Sequence, residues 1–250
     1  MASPLHIGVV GCSAEGAALC YRTICTEGEP FLGRYGHPEV SMHTASFADY
    51  VDCLDRSDLQ GVADLMLRSA RKLAAAGADF LICPDNTIHQ AFTLVAKASP
   101  LPWLHIAEVV AAEARSRGYR RLGLTGTRWL VSSDIYPTVL ASHGMECIRP
   151  PDPERDEIGR RIMEELVRGI FTAETVGYFQ SVIRGLANRG CDAVILGCTE
   201  IPLIINDGNS PLPTLDSTRL LARAALRKAV DPIAGSGRRR VPDPGGTECP

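Results

Sequence analysis

Gly77-Ala-Asp-Phe-Leu-Ile-Cys-Pro-Asp-Asn-Thr-Ile88 and Gly190-Cys-Asp-Ala-Val-Ile-Leu-Gly-Cys-Thr-Glu-Ile201 are two versions of one segment, 113 residues apart. Gly77, Asp79, Ile82 and Ile88 are identical to Gly190, Asp192, Ile195 and Ile201. Downstream, Ser99-Pro-Leu-Pro-Trp-Leu104 recurs as Ser210-Pro-Leu-Pro-Thr-Leu215 after 111 residues, and Ala111 and Ala114 then match Ala222 and Ala225. Upstream, Ile7-Gly-Val-Val-Gly11 matches Leu122-Gly-Leu-Thr-Gly126 at an offset of 115. Three blocks in the same order, with so little drift in their spacing, predict two lobes of similar fold.

Within each lobe short apolar runs alternate with helical patterns. The runs are Leu5–Val10, Phe80–Cys83, Leu104–Ile106, Leu122–Thr125 and Ala193–Leu196; helices are expected at Ala14–Cys25, Val62–Ala76, Ile88–Ala98, Ala107–Arg117, Asp134–His143, Glu157–Gly169 and Ala173–Asn188. That alternation predicts an α/β class chain with parallel sheets covered by helices. The first lobe is expected over residues 1–105 plus 211–232 and the second over 106–210, with the cleft between them. From Gly235 the chain is rich in Gly, Pro and Arg, so residues 233–250 read as a disordered tail and Arg238–Arg240 as solvated charge.

Composition narrows the function classes. The chain has 250 residues, 45% of them apolar and 22% charged, with a net charge of −3. So small a charge predicts no nucleic-acid or anionic-membrane partner. No apolar run reaches the roughly 20 residues of a membrane span, and the first residues lack the charged start of a signal peptide. A cytoplasmic protein is the expectation. The nine cysteines contain no Cys-x-x-Cys pair and no zinc-ligand spacing, so metal is not expected.

In an open α/β sheet, ligands bind beyond the carboxyl ends of the strands. There the repeat sets Asp85, in Pro84-Asp-Asn-Thr87, against Cys198, in Gly197-Cys-Thr-Glu200. If the lobes face each other, two acid/base groups approach one ligand atom from opposite sides, as a two-base proton transfer requires. A thiolate serves when neighbouring dipoles depress its pKa, and a carboxylate when burial raises its own. Each segment alone also reads blandly, Cys198 as a packed thiol and Asp-Asn-Thr as a helix cap.

Gly197-Cys-Thr-Glu-Ile-Pro-Leu203 resembles the second catalytic motif of the aspartate/glutamate racemase family, and Pro84-Asp-Asn-Thr-Ile-His89 resembles its first, Cys-Asn-Thr-x-His. Ile7-Gly-Val-Val-Gly-Cys-Ser13 and Thr125-Gly-Thr127 fit the family's other two strand-end loops, so the resemblance covers residues 5–230 in order. It implies two α/β lobes and an amino-acid racemase that uses no pyridoxal phosphate, no metal and no other cofactor. It also implies a small-molecule amino-acid or related carboxylate substrate, and a homodimer. Carried over by position, Cys198 is one acid/base and Asp85, standing where the family has cysteine, is the other. Asn86, Thr87 and Thr199 would bind the substrate carboxylate or amine, while Ser13 and Thr127 complete the cleft. Glu200 would hold the substrate ammonium or orient Cys198, or else simply face a helix dipole.

Some alternatives stay open on the residues. Cys83, two residues before Asp85, is a second candidate base, and His89 reads as a structural histidine. A carboxylate and a thiol differ by roughly four units in reference pKa, so the two directions of racemisation are expected to differ. Loss of one proton-transfer group would favour a decarboxylase or isomerase of the same superfamily. A binding protein for an acidic metabolite is the non-enzymatic alternative. An acidic side chain would call for a distal cation, for which Arg22, Arg34 and Arg56 are the candidates.

Overall fold

The computed structural model describes residues 3–231, so the predicted tail at 233–250 lies outside the described residues. β1 (Ile7–Gly11) leads into α1 (Ala14–Thr26), a short α2 (Glu29–Leu32), β2 (Val40–Thr44), α3 (Phe47–Asp55), α4 (Leu59–Ala75) and β3 (Phe80–Ile82). A 3-10 turn, Thr87–Ala91, precedes α5 (Phe92–Ala98) and α6 (Ile106–Ser116). The second half holds β4 (Arg121–Thr125), α7 (Arg128–Ser132), α8 (Ile135–Ser142), β5 (Glu146–Ile148), α9 (Asp152–Glu164), α10 (Ala173–Asn188), β6 (Ala193–Leu196), β7 (Thr214–Asp216) and α11 (Ser217–Val230). The strands form two parallel sheets, ordered β2-β1-β3 and β5-β4-β6-β7.

The repeat is visible in the strand register. Ile7 pairs with Phe80, and the corresponding Leu122 pairs with Ala193. Leu81 bridges Trp103, and the corresponding Val194 pairs with Thr214. The identities in the repeat have physical causes. Gly77 and Gly190 end α4 and α10 with φ of +89° and +82°, a conformation that L side chains rarely adopt. The Asp79 carboxylate accepts the His6 N–H at 2.7 Å, and that of Asp192 accepts the Arg120 N–H at 2.7 Å. Each aspartate thus ties the start of one strand to its neighbour.

Alternation along the strands fills both sheet faces. Ile7 and Val9 of β1 pack with α1 and α11, whereas Val10 packs with α3 and α4. In β6, Ala193 and Ile195 face α6 and α8, whereas Val194 and Leu196 face α9 and α10. Helix α4 shows how one such cover is specified. Asp58 caps it by accepting the Gly61 N–H at 2.8 Å, and Val62, Met66, Leu67, Ala70 and Leu73 make one buried face. Burying each of the larger side chains contributes roughly 1.5–3 kcal/mol.

Several expectations need correction. β7 belongs to the second sheet, so the chain leaves that lobe after Asp216, not at residue 211. It then returns as α11 onto β1 and β3. Leu104–Ile106 is not a strand: only Trp103 bridges to β3, and Ile106 already begins α6. The helix expected from Ile88 starts as the 3-10 turn, and the one expected to reach Gly169 stops at Glu164 before a short 3-10 turn, Leu166–Arg168. β2 and β5, at the sheet edges, and α3 have no counterpart in the sequence reading.

Candidate active site

The strand ends of both sheets converge on one crevice between the lobes. Its floor carries Asp85 from the first lobe and Cys198 from the second, together with Ser13, Asn86, Thr87, Thr127, Thr199 and Glu200. All eight predicted site residues therefore meet in one place. Cys12, at the end of β1, joins them.

Asp85 follows β3 directly. Its Oδ1 accepts the N–H groups of Thr87 at 2.9 Å and Ile88 at 3.3 Å, where the 3-10 turn begins. Burial pushes its carboxyl up to about 6, with the Glu200 charge adding to the rise; the two N–H groups and the Cys12 thiol oppose it. Cys12 is buried, and its own thiol is pushed up by that burial and by the charge of Asp85. Nothing in the sequence motifs had marked Cys12 as more than part of a strand-end loop. Its position two residues past Val10, at the carboxyl end of a central strand, was the available signal.

From the second lobe the Cys198 thiol donates to Glu200 Oε2 at 2.9 Å. The Thr199 hydroxyl donates to the same oxygen at 2.7 Å. Burial first, and then the Glu200 charge, hold the Cys198 pKa well above the usual thiol range. The thiol is protonated at neutral pH. Glu200 is thus the hydrogen-bond partner of Cys198 in this structure.

Other polar residues hold the lobes together across the crevice. Ser13 caps α1, accepting the Gly16 N–H at 3.3 Å, and its hydroxyl lies 3.0 Å from that of Thr199. Gly16 permits that approach: a Cβ there would come within 2.4 Å of the Thr199 methyl. Thr127 caps α7 through the Leu130 N–H at 3.2 Å, and its hydroxyl lies 2.9 Å from that of Thr87. Asn86, expected to bind substrate through side-chain and backbone donors, lines the crevice with its amide already engaged within the protein. Its Oδ1 accepts from Tyr136 at 2.7 Å and its Nδ2 donates to Ser217 at 2.9 Å, so both ends of the amide serve the lobe junction.

The alternative candidates fall outside the chemistry. Cys83 is fully buried in the first-lobe core and does not line the crevice. His89 is buried, with Nδ1 2.7 Å from the Asp85 carbonyl and Nε2 accepting the Ile106 N–H at 3.4 Å. Those partners fix the neutral ring with its proton on Nδ1, and burial lowers its pKa to about 3. Arg22, Arg34 and Arg56 are absent from the lining. Among the described residues no His/Cys/Asp/Glu cluster could hold a metal ion, and no helix is long and apolar enough to cross a membrane.

The model of the Asp/Glu/hydantoin racemase family matches residues 7–225. The chain belongs to that family. It is 24% identical to the broad specificity amino-acid racemase RacX of Bacillus subtilis (strain 168), over 76% of this chain and 81% of that one. Among solved structures, a candidate Asp/Glu racemase from Yersinia pestis shares 31% identity and a TM-score of 0.83, covering 91% of this chain and all (100%) of that chain. An aspartate racemase homologue from Pyrococcus horikoshii OT3 shares 27% identity and a TM-score of 0.78, covering 90% and 99%. The two parallel sheets flanked by helices are the two-lobed fold of these racemases.

Proposed function

We propose that this family member is a cofactor-independent racemase that inverts Cα of an α-amino acid by two-base proton transfer between Asp85 and Cys198. The observation that carries the reading is that Asp85 from the first lobe and Cys198 from the second line one crevice, and their surroundings favour opposite protonation. With its carboxyl near 6, Asp85 is ionised at neutral pH, while Cys198 keeps its proton. Asp85 removes the Cα proton and becomes the neutral acid, leaving the electron pair on Cα. Cys198 gives its proton to the opposite face of Cα and becomes a thiolate. The adjacent Glu200 carboxylate destabilises that thiolate and favours its reprotonation, which together with loss of the Asp85 proton to solvent restores the starting state. Hydroxyls of Ser13, Thr87, Thr127 and Thr199 supply donors for a substrate carboxylate whose charge grows as the proton leaves.

The crevice in this state holds a cavity of only about 20 Å³, room for one or two waters. The lobes therefore part to admit substrate, and the contacts across the crevice, Ser13–Thr199, Thr87–Thr127, Asn86–Tyr136 and Asp55–Arg128 among them, give way. A cytoplasmic homodimer completes the reading.

Proton exchange at Cα in D₂O tests it. Purified protein without cofactor is incubated with each enantiomer of an amino-acid panel and followed by NMR and chiral chromatography. Deuterium at Cα with inversion, lost in Cys198→Ala and in Asp85→Asn, supports the mechanism. Exchange without inversion, or none with any amino acid, overturns it.

A further inference from the structure

Beside its polar groups the crevice is lined by apolar side chains. Phe47, Val51 and Leu54 of α3 stand on the first-lobe side, spaced four and three residues apart so that they share one helix face. Ile162 and Met163 of α9, with Val167 just beyond it, stand on the second-lobe side, and the Trp129 ring joins them. Among the described residues no Lys or Arg lines this space. Of the arginines next to the walls in sequence, Arg168, beside Val167, is exposed and outside the lining. Arg128 lies over the Trp129 ring and pairs with Asp55 at 2.7 Å. Arg161, beside Ile162, donates to Glu157 at 2.6 Å, to Thr175 at 2.8 Å and to Glu174 at 2.7 Å, and lies over the Tyr178 ring.

A substrate whose Cα lies between Asp85 and Cys198 directs its carboxylate and ammonium at the polar floor. Its side chain is left with the walls. A second carboxylate there would lose its hydration with no countercharge, beside a floor that already carries Asp85 and Glu200. An aliphatic or thioether side chain would instead remove apolar surface from water on both partners. We infer that the substrates are α-amino acids with neutral, apolar side chains, and that Val51, Leu54, Ile162 and Met163 set this preference. The inference rests on the racemase reading for the placement of Cα, while its statement about the walls concerns binding alone.

Two measurements keep the two apart. The first is Cα exchange with both enantiomers of leucine, methionine, norleucine, aspartate and glutamate. The expected result is kcat/KM for the apolar set at least ~100-fold above that for the acidic pair, the range set by a few buried methylenes and one unpaired charge. Aspartate or glutamate exchanging as well as or better than the apolar set overturns the inference and leaves the racemase reading standing. The second is saturation-transfer NMR of the same amino acids with the wild-type protein, which needs no turnover. Contact through the norleucine or leucine methyl groups, with none for aspartate, supports the inference even where no exchange occurs. In that case only the racemase reading falls. Contact from aspartate alone, or from neither class, overturns it.

A charge placed on either wall gives an independent readout. Val51→Arg and Met163→Lys, on opposite sides, are each expected to raise the acidic-to-apolar ratio of kcat/KM, or of binding, by about tenfold or more. A folded variant of either kind that leaves the ratio unchanged means that the wall does not meet the side chain.

Discussion

The two walls of the crevice are built on one repeat, yet the chemistry they carry is exchanged. In the first lobe the carboxyl of Asp85 stands at the end of β3, and the Cys12 thiol supports it from the end of β1. In the second, the thiol of Cys198 follows β6, and the Glu200 carboxylate supports it at 2.9 Å. Each lobe thus pairs a thiol with a carboxyl, but with the forward and supporting groups interchanged. The frame around them stays the same, as the matched registers Ile7 to Phe80 and Leu122 to Ala193 attest. Duplication fixes where a group stands, while its neighbours fix its proton. In the proposed mechanism a single frame therefore presents a base on one side and an acid on the other.

That asymmetry has a limit which the expectation of unequal directions overlooked. Mirror-image amino acids interconvert with an equilibrium constant of one, so kcat/KM is equal for the two enantiomers at every pH. The difference between Asp85 and Cys198 is confined to kcat and KM separately and to which enantiomer meets the protein in its resting protonation state. Removing either group breaks the comparison most severely. Cys198→Ala and Asp85→Ala are each expected to lower the rate of inversion by about 10³-fold or more. Chiral chromatography against wild type checks this, and inversion surviving in either variant removes that residue from the pair.

The second effect concerns stability and belongs to the first lobe alone. The Asp85 carboxyl moves from 3.8 unfolded to about 6 folded, so the fold holds its neutral form more tightly. The favourable contribution is fully present below about pH 4 and is lost as pH rises through 6. Asp85→Asn keeps an oxygen for the Thr87 and Ile88 N–H groups and is neutral throughout. It is therefore expected to be more stable than wild type at pH 8 by about 1–3 kcal/mol, a gap that closes towards pH 4. Denaturant melts at the two pH values measure it; a gap that does not depend on pH contradicts the raised carboxyl.

Much of this was legible in the chain before any coordinates. Gly77 and Gly190, Asp79 and Asp192 repeat because each helix needs a residue at positive φ and each strand start needs an acceptor for its neighbour's N–H. Asp85 and Cys198 were legible as their strand-end sequel. The edge strands were not: Val40–Thr44 is only half-buried and mixes Ser, His and Thr with its apolar residues, so it lacks the run of a central parallel strand. The partners of Asn86 were not legible either, because Tyr136 and Ser217, which meet the two ends of its amide, lie 50 and 131 residues away. The lobe boundary was misplaced for a similar reason. The Ser-Pro-Leu-Pro turn marks the approach to β7, while the crossing comes only after it. The spacing of Phe47, Val51 and Leu54 was open to view, but nothing local says that this helix face borders a crevice.

A third test sharpens the exchange of roles. Glu200 raises the Cys198 pKa through its charge and its hydrogen bond. In the proposed mechanism Cys198 acts while protonated, so kcat/KM is expected to fall as pH passes its pKa. Glu200→Gln is expected to bring that upper limb down by about one unit or more, whereas the lower limb follows Asp85. The lower limb moves down as well, by less, since Glu200 contributes only the second cause of the rise at Asp85. A pH profile of wild type and Glu200→Gln in one buffer series decides it. An upper limb that stays in place means that the thiol is not the titrating acid.

The smallest effect addresses the frame itself. Gly77 and Gly190 stand at corresponding helix ends with φ of +89° and +82°. A Cβ at either position would approach no heavy atom more closely than 3.7 Å. Space is therefore not at issue, and the cost of alanine is backbone strain alone, about 1 kcal/mol or slightly more at each. The two substitutions are expected to cost the same within a few tenths, and because the sites lie in different lobes their effects add in the double variant. Equal costs alongside the unequal pH behaviour of Asp85 and Cys198 would separate what the repeat holds constant from what it lets diverge. Unequal costs would instead mean that the lobes differ in their framework, and the contrast at the crevice could then no longer be assigned to the neighbours of two side chains.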